Sequence, residues 1–303
     1  MQFIHHSQLD KSKWDDLVSR KEGNFYSLSW YFDACSADWM VLADDNFENG
    51  IALNFTQKLK VSFLHPPIFV QVTDFAGNDE HFRTEALLLL KERFKTGILQ
   101  LNSPITGAVY RTRIRQFLSG EPVLNTLSKR MLKKAEKQGI TIQKGSDWKE
   151  IFPVISQELS GKISEFTPEN LKRLQQLIAA AEKKDYLLTY GILHAGELKG
   201  GMLFFETDNR IFYLKGAASE EMKKSGGMYL CMNTCITEAL TKHKMLDFGG
   251  SEVPGVKQFN NNMGGTDDIY YVHEWDNTSF LYKMIKGLYH RYGGVITKSK
   301  WKL

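Results

Sequence analysis

The chain has 303 residues, 42% of them hydrophobic and 24% charged, with a net charge of +4. That length exceeds what one core usually fills, so two domains are expected, and the composition is that of an ordinary globular protein. The mild charge excludes a dedicated nucleic-acid binder, and the three cysteines (Cys35, Cys231, Cys235) exclude a disulfide scaffold and suit a reducing compartment.

In chain order, the opening MQFIHHSQLDKSKW carries no apolar signal-peptide core, and apolar runs such as ALLLL at 86–90 are far shorter than the roughly 20 residues of a membrane span. The expectation is a cytoplasmic protein with at most peripheral membrane contact. From Trp39 short β-rich runs alternate with turn signals, notably Asn49-Gly50, followed by a helical stretch at 78–97 and a strand at 98–102. The stretch 125–139 predicts a helix with a narrow apolar stripe (Met131, Leu132, Ala135) and five cations: Lys129, Arg130, Lys133, Lys134 and Lys137. It is either a phosphate-facing helix or, more commonly for such patterns, a connector with one solvated face. Thr167 and Pro168 are the N-cap and first residue of a packing helix that presents Leu171, Leu174 and Ile178. From Tyr186 three strands follow with turns at Gly196-Glu197 and Asp208-Asn209. A helix is predicted over roughly 225–243, then a strand, KMLDF. The Gly-rich stretch 249–265 comes next. Tyr270, Tyr271 and Trp275 then alternate as in a packed strand.

The two halves share one register. Tyr186 lies 147 positions after Trp39, Gly196 147 after Asn49, and Leu246 147 after Leu99. A constant offset across turn, strand and helix is what an internal duplication predicts. Each half then reads as antiparallel strands, a helix, and a strand returning to the same sheet, in an α/β (α+β) class. We divide the chain into 1–124 and 125–303.

The copies differ at two telling places. The helix of the second half opens with Ser225-Gly226-Gly227, and the same offset maps these positions onto Asn78, Asp79 and Glu80. A helix N-terminus offers free N–H groups to an anion. Two glycines leave it bare, whereas two acids fill it with their own carboxylates. Tight helix packing is the competing explanation of the glycine pair. Asp247, Gly249 and Gly250 likewise have no counterpart in the first half, where Gln100, Asn102 and Ser103 stand. P-loop, dinucleotide, H-E-x-x-H and C-x-x-C motifs are missing, and GGSEV lacks the closing glycine of a nucleophile elbow. Cys231 and Cys235 read as core thiols rather than metal ligands, and no metal is expected.

At SKRMLKKAEKQGI, GELKGGMLFFETDNRIFYLKGAAS, KKSGGMYLCMNTCI and LDFGGSEVPGVKQFNNNMGG the sequence resembles the FemAB-like branch of the GNAT superfamily, which includes the Fem-type aminoacyl transferases of peptidoglycan synthesis. The resemblance implies two GNAT-like domains, each a mixed, mostly antiparallel sheet flanked by helices, the first with a degenerate donor site. It also implies transfer of an acyl or aminoacyl group to an amine of a small molecule or cell-envelope precursor. The donor is acyl-CoA, or alternatively aminoacyl-tRNA, with no metal and no DNA partner. Ser225, Gly226, Gly227 and Met228 correspond to the donor-pyrophosphate turn, with Lys223 where the family has Gln or Arg. Phe259-Asn260 and Met263-Gly264 depart from the Phe-Lys and Phe-Gly pairs of Fem-type enzymes. Asp247 and Glu252 are the candidate proton acceptors, with Ser251 beside them and the amides of Gly249–Ser251 as oxyanion donors. Lys215, Lys257, Gly249 and Gly250 are candidate substrate contacts. A tandem GNAT that binds without catalysing is the remaining class.

Overall fold

The structure, a computed structural model, describes residues 1–20, 24–58, 61–162, 167–250 and 253–279. Ser251 and Glu252 therefore lie outside the described residues. The first half runs β1 (Gln2–His5), α1 (Lys11–Ser19), a 3-10 turn (Phe25–Ser27), α2 (Ser29–Cys35), β2 (Trp39–Ala43), β3 (Gly50–Lys58), β4 (Val61–Leu64), α3 (Glu80–Arg93), β5 (Thr96–Leu101) and β6 (Arg111–Leu118). α4 (Thr126–Lys137) leads into β7 (Thr141–Lys144), α5 (Trp148–Lys162), α6 (Pro168–Glu182), β8 (Leu187–His194), β9 (Glu197–Glu206) and β10 (Arg210–Ala218). The chain continues through α7 (Glu220–Ser225), α8 (Gly227–Thr241), β11 (Met245–Gly250), α9 (Pro254–Asn262) and β12 (Thr266–Asp276). Among the described residues no helix is long and apolar enough to cross a membrane.

The sequence offset is visible in the elements. β3 and β9 begin at Gly50 and Glu197, and α3 and α8 at Glu80 and Gly227, both pairs 147 residues apart. The described strands form a twelve-stranded sheet in the order β1-β2-β3-β4-β5-β12-β6-β11-β10-β9-β8-β7. It is antiparallel except where β4 meets β5 and β10 meets β11. Those two parallel pairs occupy equivalent places in the two halves.

The final strands of the halves are exchanged. β6, from the first half, pairs with β11, and β12, from the second, pairs with β5. β6 and β12 pair with each other at the centre, from Thr266↔Phe117 to Val272↔Arg111. Gly97 makes room for this: a Cβ there would lie 2.1 Å from the indole of Trp275, its cross-strand partner. Trp275 in turn donates from Nε1 to the Phe94 carbonyl at 2.9 Å.

Aromatic contacts join the halves on one face. Phe25 stacks on Phe212 at 4.9 Å, and Trp30 on Tyr186 at 5.5 Å. With Trp14, Tyr31, Leu174 and Ile178 they belong to a core under α1, α2, α5 and α6. Separate cores lie beneath α8 with α4, and beneath α3. Cys231 and Cys235 are buried in the α8 core, and burial pushes both thiols up.

Two expectations change. The helix predicted from Ser225 starts at Gly227 after the separate turn of α7, because Gly226 adopts a left-handed φ of 89° that ends one helix and begins the next. The Gly-rich stretch 249–265, for which no element was expected, holds a helix at Pro254–Asn262, with Pro254 in its first turn.

Candidate active site

β10 and β11 lie side by side for only three ladder positions: Arg210↔Met245, Ile211↔Leu246 and Phe212↔Asp247. β10 then continues to Ala218 and β11 to Gly250 with no further pairing between them. Two irregularities at the same level separate them. β10 shifts register against β9 between Tyr213 and Lys215, and β11 shifts against β6 between Asp247 and Gly249. A bulge bends its strand, and two facing bulges part their strands. In β11 the bend is held by Asp247, whose Oδ1 accepts the N–H of Gly249 at 2.7 Å while Gly249 takes a φ of 77°.

The opening is the mouth of a cavity of about 420 Å³, within the usual range for small-molecule sites. Phe212, Tyr213, Leu214 and Lys215 form one wall, and Phe248, Gly249 and Gly250 the other. The first half and the exchanged strands close it with Tyr26, Tyr31, Phe69, Gln71, Arg113 and Tyr270. The walls are thus aromatic, with a few polar groups. One is unsatisfied: Nε2 of Gln71 is buried with no hydrogen-bond partner among the described residues, 2.4 Å from where a Cβ on Gly250 would sit.

Asp247 is 2% exposed and is not part of the cavity wall. Burial pushes its carboxyl up to about 6, against the opposing pull of Arg210, whose Nη1 lies 3.6 Å from Oδ2, and of the Gly249 N–H. Tyr26 does face the cavity. Burial raises its phenol well above the ordinary value, and the negative charge of Asp247 raises it further.

The fold brings Lys215, Gly249 and Gly250 together at the cavity and sets Asp247 one residue behind its wall. Gly249 has its N–H engaged by Asp247, so it is not the oxyanion donor expected from sequence. Lys257 sits on α9, ion-paired to Asp267 at 2.7 Å, and does not line the cavity. Lys223 on α7 bridges Glu158 and Glu220 at 2.8 Å each.

Ser225, Gly226 and Gly227 are buried where α4 crosses the start of α8. A Cβ on Gly226 would lie 2.2 Å from the Met131 carbonyl oxygen, and one on Gly227 3.1 Å from Ile192. Close packing thus gives a sufficient reason for both glycines. No side chain caps α8, and Met228, Tyr229 and Leu230 are the half-buried residues of its first turn. The sequence reading missed Tyr26, Gln71 and Arg113. The only hint was the aromatic density of NFYSLSWYF at 24–32, which by itself signals a core.

An acetyltransferase (GNAT) domain model matches residues 128–259. Among curated proteins none matches the sequence. Three solved structures share the whole fold. FemX has a TM-score of 0.62 at 11% identity, covering 96% of this chain and 99% of that chain. L-PGS from Bacillus licheniformis has a TM-score of 0.60 at 14% identity, covering 91% and 95%. A tandem GNAT protein from the clavulanic acid biosynthesis pathway has a TM-score of 0.50 at 11% identity, covering 90% and 98%. Such identities speak for the fold alone. Residues 128–259 thus match an acetyltransferase (GNAT) domain, set in a twelve-stranded sheet similar to that of FemX.

Proposed function

We propose that the protein is an N-acyltransferase, moving an acyl group from an acyl-CoA-type thioester to an amine of a small molecule or envelope precursor. The observation that carries this is the gap between the parallel strands β10 and β11, opening into a cavity walled by both halves. An extended, amide-bearing arm can lie along a released strand edge as an added strand does. The Gln71 amide offers it a donor that has no other partner among the described residues. The donor's phosphates then fall at the end of β10, near the uncapped first turn of α8 and its half-buried Met228, a turn that the buried Ser225, Gly226 and Gly227 shape from beneath α4.

In the transfer the amine nitrogen forms a bond to the carbonyl carbon and the carbon–sulfur bond breaks. The departing thiolate needs a proton, and the attacking amine must lose one. Tyr26, held protonated and facing the cavity, is the proton donor to the sulfur. Asp247, its pKa raised to about 6, is the nearest buried acid able to take the amine's proton, by relay through the wall. Lys215 fits an anionic part of donor or acceptor.

The test is thiol release from a panel of acyl-CoAs with amine acceptors, together with thermal shift by CoA. CoA at 100 times its Kd should add about 2.7 kcal/mol of stability. Tyr26→Phe should lower kcat by about 10²-fold or more with little change in KM. No stabilisation by CoA and no thiol release with any acyl donor would rule the proposal out. A second reading, aminoacyl-tRNA as donor, draws on the Fem-type resemblance and on the exposed cations of α4 (Lys129, Arg130, Lys133, Lys134, Lys137). It requires tRNA binding that weakens steeply with salt. A tandem GNAT that only binds a partner would show neither response.

A further inference from the structure

At the opposite end of the sheet from α4, the last residue of β1 and the residue entering β2 bring three metal-ligating side chains together. His5 Nε2 lies 2.7 Å from Asp38 Oδ1, and His6 Nε2 lies 3.9 Å from the same oxygen. Single ligand atoms from His5, His6 and Asp38 all fall within 4.8 Å of one another, among the described residues. Neighbouring side chains on a strand point to opposite faces. Here β1 stops at His5 and the chain turns at His6, which brings the two rings to 4.4 Å, centroid to centroid.

The surroundings hold each ligand in place. His5 Nδ1 is engaged by the Ser7 hydroxyl at 2.7 Å, which directs Nε2 towards Asp38. The His6 ring stacks on Trp39 at 5.7 Å and 16°. Ser36 fixes the backbone of Asp38 through its N–H at 3.2 Å and carbonyl at 2.9 Å. Asp33 stands 4.0 Å from His6 Nδ1, itself anchored by Lys11 at 2.7 Å and Trp39 Nε1 at 3.0 Å. A hydroxyl bonded to the far nitrogen of His5 and a carboxylate beside that of His6 are the kind of outer partners that metal-bound histidines have.

We propose that His5, His6 and Asp38 form a site for a divalent transition-metal ion of the Zn2+ class, which clips the edge strand β1 to the start of β2. Bonds of about 2.0–2.2 Å in tetrahedral arrangement separate ligand atoms by about 3.4 Å. The two distances to Asp38, 2.7 and 3.9 Å, bracket that value, and all three ligand atoms lie within 4.8 Å of one another, so closing the site takes small movements of partly exposed side chains. Two imidazoles and one carboxylate select Zn2+, Co2+ or Ni2+ over Mg2+ or Ca2+, which prefer all-oxygen sites. Three protein ligands leave a fourth position to water. β1 has four residues and one neighbouring strand, so a bond across this end secures the least supported strand of the first half. Without a metal the same groups form a half-exposed His5–Asp38 pair, which contributes little to stability.

The test uses protein free of any polyhistidine tag, titrated with Zn2+, and with Co2+ for its visible absorption. One equivalent should bind and raise Tm by about 2–5 °C at saturation, with Mg2+ silent. His6→Ala and Asp38→Asn should weaken binding at least 10-fold and abolish the Tm rise, while His194→Ala leaves both unchanged. Far-UV circular dichroism in chelator checks that the variants are folded, and the Co2+ spectrum of the unaltered protein reports nitrogen and oxygen ligation independently. No stoichiometric binding, or equal binding by His6→Ala and Asp38→Asn, would overturn the site and mark the metal as adventitious on surface histidines.

Discussion

Asp247 shows how one residue can be read two ways and placed by its surroundings. Its carboxylate closes the turn at Gly249 and faces Arg210, yet burial still leaves it easier to protonate than an ordinary aspartate. A folded-state pKa of about 6, above the ordinary 3.8, means that the folded protein retains a proton the unfolded chain has lost between those values. Stability therefore falls as pH rises from about 4 to about 6, by about 3 kcal/mol from this group. Asp247→Asn should remove that portion of the slope, as urea unfolding at a series of pH values would read. A slope unchanged by the substitution would mean that the carboxyl titrates normally. At Gly226 the prediction is steric. A Cβ meets the Met131 carbonyl at 2.2 Å and the backbone is left-handed, so Gly226→Ala should cost about 2–4 kcal/mol. A cost within 0.5 kcal/mol in chemical denaturation would contradict the packing described.

Helices α3 and α8 are the same element with opposite ends. Asp79 caps α3, its side chain accepting from His81 N at 2.8 Å and Phe82 N at 3.3 Å. At the equivalent position α8 has Gly226 and no side-chain cap. Asp79→Ala should cost about 1 kcal/mol, seen as a lower urea midpoint, and should leave ligand binding at the cavity unchanged. This contrast was legible in sequence because capping is local: the donor, the acceptor and the turn lie within four residues. α9 was not legible. PGVKQFNNN has poor helix formers, and its hold comes from elsewhere in the chain. Asn262 accepts from Asn125 Nδ2 at 2.6 Å, and its carbonyl accepts from Ser128 Oγ at 2.7 Å, both on the segment that begins α4.

For the whole molecule, the exchange of β6 and β12 determines how the halves depend on each other. A fragment of residues 1–124 lacks β12, which covers β5 from Thr96 to Leu101, and a fragment of 125–303 lacks β6, the neighbour of β11. Each leaves a strand edge and apolar surface open to water. Neither fragment alone should show a cooperative urea transition, while the two together should regain one. Independent two-state unfolding of either fragment would contradict the coupling. The same exchange builds the cavity, since Arg113 on β6 and Tyr270 on β12 line it beside Phe212 and Phe248. A ligand there touches both halves, so saturating CoA should raise a single transition rather than split it into two.

Periodicity and turn residues sufficed to lay out the strands from β2 to β5 and from β8 to β11 and the helices α3, α4, α6 and most of α8, because each depends on contacts a few residues apart; the spacing of 147 positions relates the two sets. The difference between the two helix starts was equally readable, for the same reason. Where the glycines face, where β10 leaves β11, and that Tyr26 closes the cavity while Lys257 turns to Asp267, were decided by contacts between distant segments. So was the meeting of His5 and His6 with Asp38, some thirty residues on, because an antiparallel strand pair returns the chain to its own beginning.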